Sequence, residues 1–292
     1  MDVSIIIINY NTCDITKNCI DSIFNYTKDV KFEVVLVDNN SQDNSKSIFS
    51  NDNRITYIYL SSNIGFGKAN NIGYQHSCGK YLFLLNSDTL LKSNAVKEFY
   101  DYMECVPNNV AFVGTMLKDI NNNLIHSYGN FPNLMTGFRW YSIIGIILDK
   151  IGLGVYQDIK NEDKHVDYVT GADLFIRGNL ISKFGLFDPD FFMYFEETEL
   201  QFRYHKLGYE SQIYCKPQIV HLENYSMNQS YRNQLRKLSV SLPSYFLYIK
   251  KCKGGVKYYI FRTLYIFIAP LWLIHPKFSL KEKLNIIKKA FI

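Results

Sequence analysis

The stretch VSIIIINYNT at residues 3–12 decides the fold of this 292-residue chain. Its first six residues form an unbroken, mostly β-branched run, typical of a strand that a parallel sheet buries on both faces. The polar residues NYNT then end the strand. The following apolar residues Ile15, Cys19 and Ile23 recur at helical spacing. A strand that leads through a polar loop into a helix is the basic unit of an α/β domain.

The same unit repeats along the first part of the chain. FEVVLV at 32–37, ITYIYL at 55–60 and KYLFLLNSD at 80–88 are further predicted strands, each followed by a polar loop. The sequence therefore predicts an α/β fold with a mixed, mainly parallel central sheet flanked by helices. Ligands of such sheets bind beyond the carboxyl ends of the strands. We therefore expect the loops NYNT, DNNS, NIGFGKAN and NSDT to share one crevice.

The chain divides into two predicted regions. A catalytic domain is expected over residues 1–226, with a variable insert on the acceptor side at about 131–165, where no clear periodicity is found. Residues 227–292 are expected to form a helical tail. From residue 250 onward the tail carries ten basic residues (Lys and Arg) and one acidic residue. The rest of the chain carries 22 basic and 26 acidic residues. The tail is therefore predicted to bind an anionic partner.

Phospholipid head groups fit that partner better than nucleic acid, because long apolar stretches separate the basic residues. YYIFRTLYIFIAPLWLI at 258–274 is short for a membrane span and favours an interfacial helix on anionic lipid. A helical subdomain packed on the catalytic core is the alternative.

Cysteine usage and the amino terminus bear on the compartment. The six cysteines, at positions 13, 19, 78, 105, 215 and 252, form no CxxC pair, and no export signal precedes the first strand. Free thiols in a reducing compartment are expected. We predict a cytoplasmic protein that is peripheral at the inner face of the membrane.

Asp88 is the strongest single candidate for a chemical role. It ends the apolar run of LLNSDT, where an unpaired carboxylate is costly unless a cleft or a cation accommodates it. Together with Asn86 and Ser87 it offers hard oxygen ligands suited to Mg²⁺ or Mn²⁺ carrying a diphosphate. His221 could complete this metal shell. The alternatives are that Asp88 caps the next helix and that His221 is structural.

Two loops contain candidates for holding the nucleotide. Asp38, after the second strand, can accept the imide N–H of uracil or thymine, and Tyr10 can stack on the base beside Asn11. The alternative for Asp38 is an Asx turn that shapes its loop. The glycine-rich turn NIGFGKAN suits a phosphate or ribose, which adds three candidate ligands: Asn63, Gly67 and Asn70.

Glu196 and Glu197, in YFEETEL, are candidates for a general base. Two adjacent carboxylates in a cleft raise each other's pKa, and the preceding FFMYF would desolvate them. The alternative is structural, because acids are favoured in the first turn of any helix.

Taken in order, these segments resemble the family 2 glycosyltransferases, which have the GT-A fold. Within that family they are most similar to rhamnosyltransferase-like enzymes of bacterial polysaccharide and O-antigen assembly. The resemblance runs from residue 3 to about 226 through VSIIIINYNT, VVLVDNNSQDNS, NIGFGKANNIG, YLFLLNSDT, VTGADLFIR, FDPDFFMYFEETELQFRYHKLGY and IVHLENYS.

The resemblance implies a role for each matching residue. Tyr10 and Asp38 would hold the base, Asn63 and Asn70 the nucleotide–phosphate side, Asp88 the divalent metal, Gly171, Ala172 and adjacent Asp173 the donor-sugar and acceptor floor, and Glu197 the catalytic base. Glu-Glu stands where Glu-Asp is common, so the choice between Glu196 and Glu197 stays open. The NSD triplet also supplies only one carboxylate.

The implied activity is an inverting, metal-dependent sugar transfer from a nucleotide diphosphate donor, dTDP-rhamnose or a UDP-hexose. The implied acceptor is a lipid-linked glycan of cell-surface polysaccharide synthesis. One alternative is an inactive, membrane-docked accessory subunit with the same fold. Another is a sugar-phosphate nucleotidyltransferase, which would need a glycine-rich loop after the first strand, where NYNT has no glycine.

Overall fold

The computed structural model describes residues 1–152, 160–222, 231–275 and 278–289, without the side chains of residues 146 and 231–236. The strands are β1 (Val3–Asn9), β2 (Phe32–Asp38), β3 (Thr56–Tyr59), β4 (Tyr81–Asn86), β5 (Thr89–Leu91), β6 (Val110–Gly114), β7 (Tyr128–Gly129), β8 (Lys164–Val166), β9 (Tyr168–Val169), β10 (Asp173–Arg177), β11 (Glu210–Ile213) and β12 (Ile219–His221).

The α-helices are α1 (Cys13–Tyr26), α2 (Ser45–Phe49), α3 (Phe66–Gln75), α4 (Ala95–Cys105), α5 (Leu134–Tyr141), α6 (Ile143–Lys150), α7 (Gly178–Phe184), α8 (Glu196–His205), α9 (Tyr231–Tyr248), α10 (Gly255–Ile268) and α11 (Leu280–Lys288). A π-helical segment (Ile249–Lys253) follows α9, and a 3₁₀ helix (Ala269–Ile274) follows α10.

Eight strands form one sheet in the order β3-β2-β1-β4-β10-β6-β11-β8. The pairs β1–β2, β1–β4, β2–β3 and β6–β11 are parallel. In contrast, β10 is antiparallel to both of its neighbours, and β8 is antiparallel to β11. The predicted mixed, mainly parallel sheet is thus confirmed. Because β10 runs against β4, the residues that precede β10 lie at the edge where β4 ends.

The apolar run of β1 is buried on both faces, as its sequence predicts. Val3, Ile5 and Ile7 pack in one core cluster with residues of α1 and α4. Ile6 packs in the other, with residues of α3 and α8. Full burial of one such side chain is worth about 1.5–3 kcal/mol, so both faces of this strand contribute to stability.

The chain packs as two units. The described residues of Met1–Asn130, Ile159–Phe192 and Glu196–Ser226 form the first unit, which holds the whole eight-stranded sheet. Those of Phe131–Asp158, Met193–Phe195 and Met227–Ile292 form the second. Most of the predicted insert therefore packs with the tail: α5 shares an aromatic core with α9 and α10, and Ile143 of α6 packs in a cluster with Trp272 and Ile286.

Tyr245 of α9 is the centre of that aromatic core. Its ring lies 5.3 Å from the ring of Tyr141 in α5 and 5.2 Å from that of Phe261 in α10. The opposite face of α10 is exposed. Among the described residues, no helix combines the length and the apolar character that crossing a bilayer requires.

Candidate active site

Asn9, the last residue of β1, organises the first two loops. Its side chain is fully buried. Its Nδ2 donates to Asp38 Oδ2 (3.1 Å) and to the Ser41 hydroxyl (3.0 Å), and its Oδ1 accepts from the Thr12 hydroxyl (2.9 Å). A buried amide is stable when its donors and acceptors are paired in this way. The sequence analysis gave Asn9 no role, although a polar residue after four isoleucines was a signal for it.

Asp38 is fully buried, and both oxygens of its carboxylate are engaged within the protein. Oδ1 accepts from the backbone N–H of Ser41 (2.7 Å), and Oδ2 accepts from the hydroxyl of Tyr57 (3.0 Å) as well as from Asn9. This is the loop-shaping turn that the sequence left as the alternative. Base binding by Asp38 would need the loop to open, because no part of the residue is exposed.

Tyr10 and Asn11 lie beside this loop and are accessible. The side chain of Tyr10 is 40% exposed, which leaves its ring available to stack on a planar ligand. Asn11 has a left-handed backbone with φ of 56°. Its Oδ1 accepts from the backbone N–H of Gln42 (2.7 Å), so its amide fastens the first loop to the second.

The glycine-rich turn makes its close approach to another part of the chain. Gly65 has φ of 90°, and a Cβ there would lie 2.2 Å from the carbonyl oxygen of Phe192. A Cβ at Gly67 would lie 3.1 Å from Phe187 Cβ and 3.6 Å from Glu196 Cβ. The two glycines therefore leave room for Phe187, Phe192 and Glu196 of the same unit, in space that the sequence predicted for a ligand.

The two asparagines of this segment also bond within the protein. Asn63 Oδ1 accepts from Asn39 Nδ2 (3.0 Å), which joins the turn to the loop after β2. Asn70 is buried, and its Nδ2 donates to the carbonyl of Phe66 one turn earlier (3.1 Å). The structure places Asn70 away from solvent, so its predicted contact with the nucleotide is not available in this conformation.

Asp88 and His221 form a pair at the turn after β4. Strand β12 pairs antiparallel with β5 and brings His221 opposite Thr89. His221 Nε2 lies 3.1 Å from Asp88 Oδ1, and the two side chains are 9% and 17% exposed. Helix α4 begins at Ala95, so Asp88 does not cap it, and that alternative is excluded.

The Asp88–His221 pair fits a divalent cation. A carboxylate oxygen and an imidazole nitrogen about 3 Å apart can bind one ion, and both donors suit Mn²⁺ or Mg²⁺. The described residues contain no group of three or more His, Cys, Asp or Glu placed to hold a metal. Two side chains would therefore hold the ion, and donor oxygens or water would fill its other positions.

Asn86 and Ser87 connect this turn to the other loops. The backbone N–H of Asn86 donates to the carbonyl of Ala172 (2.9 Å). The Ser87 hydroxyl lies 3.4 Å from the Thr12 hydroxyl. The NSD turn is thus joined to the first loop on one side and to the segment before β10 on the other.

The segment before β10 lies against the acidic helix. A Cβ at Gly171 would lie 3.6 Å from Glu197 Cβ, in ordinary van der Waals contact. Asp173, two residues on, is fully buried, and its Oδ2 accepts from the backbone N–H of Thr115 (2.6 Å). Burial raises the pKa of Asp173 well above its usual value. The predicted floor is therefore limited to Gly171 and Ala172, because Asp173 faces the protein interior.

Glu196 and Glu197 open α8, and their environments differ. Glu196 is buried and Glu197 is partly exposed. Burial, and next the charge of Glu197, raise the pKa of Glu196 well above its usual value. Burial also raises the pKa of Glu197, against backbone N–H groups that lower it. Glu197, the more exposed of the two, is therefore the better placed to accept a proton from a bound acceptor.

The backbone before this pair is strained. Tyr194 and Phe195 both have left-handed conformations, with φ of 70° and 67°. Each costs on the order of 1–2 kcal/mol for a residue with a side chain. Strain of this kind clusters at functional sites, and here it sets the direction from which the chain enters α8.

Comparison with known proteins gives the family of the chain. The sequence profile of glycosyl transferase family 2 matches residues 4–158. Glycosyltransferase GlyG of Streptococcus pneumoniae is 28% identical over 139 residues, which cover 46% of this chain and 44% of that protein. The low-salt glycan biosynthesis hexosyltransferase Agl10 of Haloferax volcanii is 26% identical over 206 residues, which cover 69% and 61%. The chain thus spans less than two thirds of these relatives.

A solved structure shares the fold. The mannosyltransferase PcManGT from Pyrobaculum calidifontis, in complex with GDP-Man and Mn²⁺, has a TM-score of 0.58 and 15% identity, with 99% of this chain and 72% of that chain covered. The family profile covers more than half of the 292 residues. The chain therefore belongs to glycosyl transferase family 2.

Proposed function

We propose that the chain is an inverting glycosyltransferase that moves a sugar from a nucleotide diphosphate donor to a glycan hydroxyl. One observation carries the proposal. A Cβ placed on Gly171 would lie 3.6 Å from Glu197 Cβ, and the carbonyl of Ala172 accepts from the N–H of Asn86, two residues before Asp88. A proton acceptor and a candidate metal ligand thus lie on either side of one short segment.

The chemistry follows from this placement. The acceptor hydroxyl oxygen attacks C1 of the sugar, the bond from C1 to the diphosphate oxygen breaks, and the configuration inverts through an oxocarbenium-like state. Glu197 takes the hydroxyl proton as the new bond forms. Mg²⁺ or Mn²⁺, held by Asp88 and His221, would offset the negative charge that the leaving diphosphate gains.

The donor proposed is dTDP-rhamnose or a UDP-hexose, and the acceptor is a lipid-linked glycan of cell-surface polysaccharide synthesis, such as an O-antigen. The resemblance to rhamnosyltransferase-like enzymes supports the first donor. The second is supported by Agl10, whose name describes it as a hexosyltransferase of glycan biosynthesis. The exposed ring of Tyr10 is the proposed stacking surface for the base.

The test combines donor binding with transfer. Thermal stabilisation by a panel of nucleotide sugars in Mn²⁺ identifies the donor, because a ligand that binds only the folded state raises the melting temperature. Glu197→Gln should keep this stabilisation and lower transfer about a thousandfold. Asp88→Ala should remove the Mn²⁺-dependent part of donor binding. Glu210→Gln, at the opposite edge of the sheet, is the matched control. Normal transfer by both site variants would refute the proposal.

We also propose that the tail holds the enzyme at the inner face of the membrane through α10. Its residues Val256, Tyr259 and Phe267 are 76%, 65% and 76% exposed, whereas Phe261 and Tyr265 on the opposite face are buried. An apolar stripe on a helix with lysines at its start is typical of helices that lie on anionic lipid.

Vesicle sedimentation tests the membrane proposal. The protein should sediment with vesicles that contain anionic lipid and much less with zwitterionic ones. Phe267→Glu should weaken this binding at least about tenfold, because one buried aromatic side chain is worth about 1.5–3 kcal/mol. Leu207→Glu, an exposed leucine outside the tail, is the control. Equal binding by both variants would contradict the proposal.

A further inference from the structure

Gln201 connects the acidic helix to the strand that leads into the sugar floor. The side chain is 1% exposed and lies one turn after Glu197 in α8. Its Oε1 accepts from the backbone N–H of Val169 (2.8 Å), and its Nε2 donates to the carbonyl of the same residue (2.8 Å). Nε2 also donates to the carbonyl of Glu197 (3.1 Å). One side-chain amide thus binds both peptide groups of Val169 and the backbone of the proposed base.

This contact fixes a distance that the reaction depends on. Val169, in β9, is followed after one residue by Gly171, where a Cβ would lie 3.6 Å from Glu197 Cβ. The next residue, Ala172, accepts from the N–H of Asn86. A displacement of α8 relative to β9 would therefore move Glu197 relative to the floor. An apolar side chain at position 201 could fill the space but could not hold Val169 in register.

The two-residue strand β9 has one hydrogen-bonded strand neighbour among the described residues, β7, in which Tyr128 pairs with Val169. On its other side, the N–H and C=O of Val169 point to α8, where Gln201 takes the place that a second strand would take. A glutamine is long enough to make this bridge and, as an amide, supplies a donor and an acceptor in one plane.

We propose that Gln201 is a positioning residue of the transfer reaction: it holds Glu197 at a fixed height over the Gly171–Ala172 backbone. The inference rests on the proposed transfer and concerns the same site. It predicts that loss of the amide lowers the rate of the chemical step more than it weakens donor binding, because a base displaced by about 1 Å loses on the order of a hundredfold in rate.

Gln201→Leu is compared with Tyr204→Phe on the same helix. Tyr204 is also fully buried, and its hydroxyl donates to the carbonyls of Leu180 (3.1 Å) and Gly185 (2.8 Å). Removal of the hydroxyl also costs buried hydrogen bonds, but neither bond involves β9 or Glu197. Gln201→Leu should lower kcat at least about tenfold, with the donor KM within about twofold. Tyr204→Phe should lower the melting temperature similarly and keep kcat.

Each outcome decides the question. A loss of kcat confined to Gln201→Leu supports the positioning role, and equal kcat in the two variants at equal stability overturns it. If Gln201→Leu does not fold, Gln201→Asn, which keeps the amide but is one methylene shorter, is compared in the same way. Absence of transfer by the unmodified protein with every nucleotide sugar would instead refute the proposed function.

Discussion

The two ends of β10 each bury an ionisable side chain, but they differ in how many hydrogen bonds that side chain makes. Arg177, at the carboxyl end, donates to the carbonyls of Val110 (2.7 Å), Met103 (2.9 Å), Val106 (3.2 Å) and Pro107 (3.3 Å). Within the part of the chain that the structure describes, one buried carboxylate oxygen of Asp173, at the amino end, has no hydrogen-bond partner. The same holds for one oxygen each of Glu196 and Glu197, near that same end.

The difference separates stability from function. Each hydrogen bond of Arg177 lowers the cost of burying its charge. The bonds to Met103 and Val106 also satisfy carbonyls at the end of α4. The unpaired oxygens at the other end cost free energy of folding, since a buried polar atom without a partner costs about 1–3 kcal/mol. Burial raises the pKa of these carboxyl groups. In Glu197, the proposed base, a raised pKa favours proton acceptance near neutral pH.

The largest expected effect is at the carboxyl end of β10, where Arg177 donates several hydrogen bonds. Arg177→Met should lower the free energy of unfolding by about 3 kcal/mol, because it leaves several buried carbonyls without donors. Below the unfolding transition, kcat and the donor KM should be unchanged. Urea unfolding followed by circular dichroism measures the first quantity, and a transfer assay measures the others.

The same substitution at Arg54 is the control. Arg54 bonds to Asp52 and Asp21, but on the surface, where such pairs are worth less than about 1 kcal/mol. A selective loss of activity in Arg177→Met, without loss of stability, would show that the carboxyl end of β10 also takes part in the reaction.

The fold was predictable because its signal is local. Residues 3–8 had to be buried on both faces, and the polar loops had to follow the strands. The direction of β10 was not predictable, because DLFIR is apolar enough to be buried in either orientation. That direction nevertheless places Gly171 and Ala172 at the end of β4.

The site was only partly predictable, because asparagine, aspartate and glycine serve ligands and turns equally well. Asp88 ends an apolar strand, and the structure places it 3.1 Å from His221, the other residue predicted to bind the metal. The space beside Gly67 is occupied by other residues of the protein, and the side chain of Asn70 bonds to the protein backbone. Phe187, which packs on Gly67, lies 120 positions further along the chain, and no local pattern connects the two.

A smaller effect is expected at Asp173. Burial raises the folded-state pKa of Asp173. Its contribution to the free energy of unfolding is therefore fully present below the unfolded pKa and is lost as pH rises through the folded pKa. Asp173→Asn keeps an acceptor for the Thr115 N–H and has no proton to lose. The variant should therefore gain at least about 1 kcal/mol over the unmodified protein between pH 4 and pH 8.

Urea unfolding of both proteins across that pH range measures the gain. The other acidic residues are common to both proteins and cancel in the difference. A stability difference that does not vary with pH would contradict this prediction. It would mean that Asp173 is ionised in the folded protein and that its second carboxylate oxygen is stabilised by a partner.

The smallest expected effect is at Glu196. If Glu197 is the base and Glu196 keeps its proton, Glu196→Gln replaces a neutral acid with a neutral amide of nearly the same shape. Transfer should then change by less than about threefold, since no ionisation that the base depends on is removed. The rate should still rise with pH through the raised pKa of Glu197, because the base acts in its deprotonated form. The measurement is the pH profile of kcat for the unmodified protein and for Glu196→Gln. A loss of kcat in Glu196→Gln as large as that in Glu197→Gln would make Glu196 the base, and the greater exposure of Glu197 would then be the wrong criterion for choosing between them.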